Sequence, residues 1–108
     1  MAAEASRKAA EQQVAKTRAN IAAEIVSARV AYESAQSRLR QYQSEILQSS
    51  ADILKTVSFA YQKGGASLLD LLSAQRNDNE VRLATAQATA DKASAAADLR
   101  AALNLGNP

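Results

Sequence analysis

Lys63-Gly64-Gly65-Ala66-Ser67-Leu68-Leu69-Asp70 decides the fold, because it alone interrupts a helical pattern that otherwise runs the length of the chain. Upstream, the pattern ends at Tyr61 and Gln62 and meets two glycines, the residue type that takes the left-handed conformation closing a helix. Downstream, Ser67-Leu68-Leu69-Asp70 has capping-box spacing, in which a hydroxyl covers an orphan amide at the new helix start and a carboxylate three residues on reaches back. One helix stops and another starts within a few residues. This predicts an all-α chain, a long antiparallel two-helix coiled-coil hairpin with a helix over 3–62, a turn over 63–66, a second helix over 67–104 and a tail over 105–108.

Composition supports helices rather than a globule. The chain has 108 residues and is 47% apolar, but Ala alone makes up about a quarter of it, aromatics are 4% and Trp is absent, so the material for a thick core is missing. An Ala-rich chain with 3 Gly and 1 Pro, that Pro being the last residue, suits long helices packed closely side by side.

The chemical inventory excludes whole classes of function. With 0 Cys and 0 His there is no thiol nucleophile, disulfide, imidazole base or usual zinc or copper ligand. The acids are scattered singly, and no phosphate loop or nucleophile elbow appears, so neither a catalytic residue nor a cofactor or metal site is expected. Net charge is +2 with the signs interspersed, as in the i,i+4 pairs Glu4/Lys8, Arg7/Glu11, Arg29/Glu33, Arg76/Glu80 and Asp78/Arg82, which suit a solvated face at roughly 0.2 to 0.5 kcal/mol each. A nucleic-acid surface needs basic clustering that is lacking here. The sequence reads as starting directly in the first helix, with no secretory signal expected ahead of it, and no apolar run nears the ~18 residues needed to cross a bilayer, so this segment is expected to be soluble and not to insert into a membrane itself.

The first helix carries a seven-residue repeat. One set reads Ile25, Tyr32, Leu39, Ile46, Ile53, Ala60, and the companion set reads Ile21, Ala28, Ala35, Tyr42, with Val14 one heptad earlier. A strict period of seven keeps such a stripe against its neighbour through a left-handed supercoil. The packing seam is therefore expected at Ile21, Ile25, Tyr32, Leu39, Tyr42, Ile46 and Ile53. Nearer the turn runs a second stripe, Leu47, Leu54, Val57 and Tyr61, which reads either as a second neighbour's contact or as a broad face toward the second helix. That second helix opens with Leu68, Leu69, Leu71 and Leu72 and thins to Leu83, Ala86, Ala90, Ala93 and Ala97, a small-residue stripe permitting close approach. At 1.5 Å per residue the helices span about 90 and about 55 Å, leaving on the order of twenty N-terminal residues overhanging. Surplus apolar surface of this kind marks part of an assembly.

Ala60-Tyr61-Gln62-Lys63-Gly64-Gly65-Ala66-Ser67-Leu68-Leu69-Asp70-Leu71-Leu72-Ser73-Ala74-Gln75-Arg76 resembles the Y-x-x-G-x-x-S-L-L-(D/E)-(L/V)-L-(D)-A-Q-R signature of TolC-like outer membrane efflux proteins, most nearly the CzcC type of heavy-metal efflux systems. Ala9 to Ser58 and the stretch ending Ala101-Ala102-Leu103-Asn104-Leu105-Gly106 are similar to the long helices flanking that signature. The resemblance implies a homotrimer whose subunits give strands to a membrane barrel and long helices to a periplasmic tunnel, with this chain as one helical hairpin of the tunnel. It implies that Lys63, Gly64, Gly65, Ala66, Ser67 and Leu68 form the tip that meets a periplasmic adaptor (membrane fusion) protein and, through it, an inner-membrane pump.

Two positions depart from the signature. Gly65 stands where a long, often basic residue is common, and Ser73 where many members carry a second acid, so the family's acidic constriction would keep Asp70 alone from this hairpin. Asn77-Asp78-Asn79 is also more polar than usual in the family. Asp70 has two roles open to it, the helix cap with Ser67 and a ring of three carboxylates facing a pore. Arg76 reads as a solvated residue or a gate latch, and Tyr32 and Tyr42 as packing residues. The function this implies is a passive export conduit in a tripartite efflux pump, with no enzymatic activity. The rivals are a self-associating structural coiled coil with no channel role, and a membrane-surface protein, which the mixed-sign polar face disfavours.

Overall fold

The computed structural model describes residues 2–106, and Met1 and the tail residues 107–108 lie outside it. Helix α1 spans Ala2–Gln41, a π turn follows at Tyr42–Ile46, α2 spans Leu47–Gln62 and α3 spans Leu68–Leu105. Apart from the turn at 63–67 and Gly106, every described residue is helical, and the fold is an all-α hairpin. The chain divides into two compact units, residues 34–93, which contain the turn, and residues 2–33 with 94–106.

In the unit of residues 34–93 the two arms run antiparallel, tied by Ser50 to Asp78 near the turn and by Arg38 to Asp91 farther from it. The buried positions of the first arm begin on the heptad, at Ala35, Leu39 and the half-buried Tyr42. They do not continue on it. After the π turn the inward stripe is Leu47, Ser50, Leu54 and Val57, while Ile46 and Ile53 are 38% and 49% exposed. The cause is one inserted residue: the Leu47 amide donates to the Tyr42 carbonyl, an i→i−5 bond, and the wider turn displaces everything beyond it by one position. The expectation that Ile46 and Ile53 extend the seam is therefore corrected. The two stripes near the turn are one seam before and after a register step, with Ile46 and Ile53 left facing outward.

The second arm also differs from its expected stripe. Its inward positions are Leu71, Ala74, Asp78, Val81, Thr85 and Ala88, a strict alternation of three and four, whereas Leu83 is 73% exposed and Ala86, Ala90 and Ala93 lie on the same outward side. With Ala on every face, the helix has little amphipathic contrast by which to choose a side. Asp78, paired by spacing with Arg82 on a presumed solvated face, is in fact buried.

In the other unit, Ile21, Ile25, Ala28 and Tyr32 are half-buried on α1, as are Ala95, Ala96 and Leu99 on α3, with Ala102 buried. Gly106 closes against this patch: a Cβ there would come 3.0 Å from Ile25 Cδ1 and 3.6 Å from Ile21 Cγ2. Residues 2–20 are exposed throughout, and Ala97 faces outward.

Candidate functional site

The turn is built by two complementary devices. At its first side the Gly65 amide donates to the Ala60 carbonyl at 2.7 Å and the Gly64 amide to the Tyr61 carbonyl at 3.2 Å, the paired bonds of a Schellman motif. That motif needs a left-handed residue between them, and Gly64 supplies it with φ of 81°. At its second side the Asp70 amide donates to Ser67 Oγ and the Ser67 amide donates to the Asp70 carboxylate, both at 3.1 Å. The Leu71 amide bonds the Ser67 carbonyl, so Ser67 is the N-cap and Asp70 lies at the third helical position.

Only one of the two glycines is held by backbone conformation. A Cβ on Gly64 would touch nothing within 4 Å, so Gly64→Ala is resisted by its positive φ alone and is expected to cost about 1 kcal/mol. At Gly65 a Cβ would meet the Ala60 carbonyl oxygen at an ordinary 3.7 Å, and Gly65→Ala should leave the melting temperature nearly unchanged. Circular dichroism melts of the two variants check this asymmetry; equal losses would mean that the reversal is built differently.

Around this frame the tip presents large apolar side chains to solvent. Phe59, Leu68, Leu69 and Leu72 are all exposed, Lys63 stands over the Phe59 ring at 5.7 Å, and Leu69 and Leu72 share a shallow surface with Ser73 and Arg76. Lys63, Gly64, Gly65, Ser67 and Asp70 are exposed too, and Ala66 is half-buried. The Asp70 carboxylate is thus engaged by the Ser67 amide while remaining open to solvent.

A feature the sequence did not reveal lies nearer the middle of the hairpin. Asp78 is 4% exposed and Ser50 3%; Ser50 Oγ donates to Asp78 Oδ1 at 3.0 Å, and Arg82 Nε donates to Oδ2 at 2.8 Å. Each carboxylate oxygen therefore has a donor, which is the condition for keeping a carboxylate inside. Of the other pairs read from spacing, Arg7–Glu11 comes within 3.9 Å on an exposed face, where it contributes little.

Among the described residues no three His, Cys, Asp or Glu side chains gather into a metal-binding group, and no helix is long and apolar enough to cross a membrane. No curated protein and no solved structure matches the chain. The family model for the outer membrane efflux protein matches residues 1–105, which include both helical arms and the turn between them. That family consists of transport channels rather than enzymes. With all but three of its 108 residues matched, the chain belongs to the outer membrane efflux protein family.

Proposed function

We propose that the chain is a periplasmic tunnel hairpin of a trimeric outer membrane efflux channel, a passive export conduit whose tip docks with the periplasmic adaptor of a tripartite pump. The observation that carries this is the family match across both arms and the turn, joined to a tip that is rigidly capped on both sides yet exposes Phe59, Leu68, Leu69 and Leu72. A run of exposed large apolar groups on a preorganised turn suits a protein partner, since little ordering is left to oppose binding. Lys63, Gly64, Gly65, Ala66, Ser67 and Leu68 are the proposed adaptor contacts.

Asp70 is the proposed contribution to a cation-attracting constriction. Its carboxylate caps α3 and is still solvent-facing, so the two roles are compatible. Assignment to the heavy-metal branch rests on the signature around the turn; without His or Cys the hairpin has no soft metal site, so its role toward any metal cargo would be passage rather than binding.

Photo-crosslinking in cells tests the docking. A crosslinking amino acid placed at Gly65 of the full-length protein is expected to capture the adaptor, and the same group at the exposed Glu24 to capture none. Capture at neither position, in a channel that still exports, would remove the tip from the interface.

A further inference from the structure

The π turn sits where two seams of similar pattern begin. Counting from Tyr42 with the extra residue, the positions toward α3 are Leu47, Ser50, Leu54 and Val57; without it, they are Ile46, Ser49, Ile53 and Thr56. Position by position these are Leu for Ile, Ser for Ser, Leu for Ile and Val for Thr. The two Leu-for-Ile exchanges cost little when the surroundings repack, while Val for Thr brings in a hydroxyl and favours the register seen here. The buried Asp78 carboxylate is provided for in both, since Ser49 would arrive where Ser50 now donates to it.

We propose that the π turn is a register switch: α2 rotates by about 100° and advances by one residue, about 1.5 Å, exchanging the Leu47/Leu54 stripe for the Ile46/Ile53 stripe. The extra residue leaves Tyr42–Ile46 and enters the turn between the arms. Gly64 and Gly65 accept it there, since neither has a side chain to restrict the rebuilt loop. The change breaks the Leu47-to-Tyr42 backbone bond, which an ordinary i→i−4 bond replaces, and the two glycine bonds of the Schellman motif, which the turn, longer by one residue, must rebuild. The shape of the turn and the face that α2 presents are thereby one variable. A partner that grips the turn would set which stripe faces outward. This inference rests on the packing of the hairpin and does not require the channel reading.

Disulfide trapping in the 108-residue chain tests it, on a background with 0 native Cys. Asp78→Cys is combined in turn with Ser50→Cys, Ser49→Cys and Gln48→Cys. The 50/78 pair should bridge fastest, and the 49/78 pair about 10- to 1,000-fold more slowly, as expected for a minor state of about 0.1–10%, with 48/78 at background. Deleting Gln43 removes the extra residue and should abolish the 49/78 bridge while sparing 50/78. A 49/78 rate at background, or one unchanged by the deletion, overturns the switch. Hydrogen exchange on the unmodified chain needs no substitution at Asp78: the Leu47 and Gly65 amides should share one opening constant, and unrelated constants would contradict the coupling.

Discussion

Leu39→Ala is expected to destabilise the chain by about 2 to 5 kcal/mol, a large fraction of what a small domain has to lose. Among the described residues Leu39, at 6% exposed, is the largest buried apolar side chain, the other buried apolar positions being Ala35, Ala74, Ala88 and Ala102. A core made mostly of Ala has few neighbouring side chains able to move into the space that truncation leaves. Ile53→Ala is the contrast. It removes a comparable side chain from a position that the uninterrupted heptad would bury, yet the residue is half in solvent, and the loss should stay within about 0.5 kcal/mol. Urea melts of the two variants read the difference directly. Equal losses would mean that the seam runs straight through residue 46 and that the register step is absent.

Ser50→Ala is expected to cost about 1 to 3 kcal/mol, because it strips the donor from Asp78 Oδ1 and leaves a buried carboxylate oxygen unbonded. The measurement belongs in a Ser49→Ala background, where the neighbouring hydroxyl is not available as a substitute; Ser49 is exposed, and its own replacement should be nearly silent. Replacing both partners, Ser50→Ala with Asp78→Leu, removes the need rather than the supply. That variant should recover most of the loss or exceed the parent, as buried ionic groups often do when exchanged for apolar ones. The outward Arg82 then loses a partner but keeps its solvent, so its contribution to the balance is small. A double variant as unstable as the single one would show that the site depends on shape rather than on hydrogen bonding.

What could be read from the sequence divides along a physical line. The turn is legible because its causes are local: Gly64 and the Ser67-x-x-Asp70 spacing each act within a few residues, and each bond lies inside the window that specifies it. The heptad as far as Tyr42 is legible for the same reason of simple period. The π turn is not, because no Gly or Pro marks it and the residues after it are apolar at both candidate positions, so a pattern one residue out of step looks equally sound. The burial of Asp78 is not legible because its four-residue spacing to Arg82 is that of a surface pair; it depends on which residue of the opposite arm faces it, and that is set by the register step. The inward face of α3 was hidden by its Ala content, which makes all of its sides similar.

The central claim, that this hairpin walls a conduit, is tested most directly by conductance. The full-length protein carrying this hairpin, reconstituted into planar lipid bilayers, is expected to form ion-conducting pores whose cation preference falls in Asp70→Asn and whose difference from the parent shrinks as salt rises. Asn retains a side-chain oxygen able to cap α3, so the substitution should leave the hairpin melt nearly unchanged and the electrical readout separable from folding. Pores with lowered cation preference are the predicted result; a folded, inserted protein that passes no current would contradict the account.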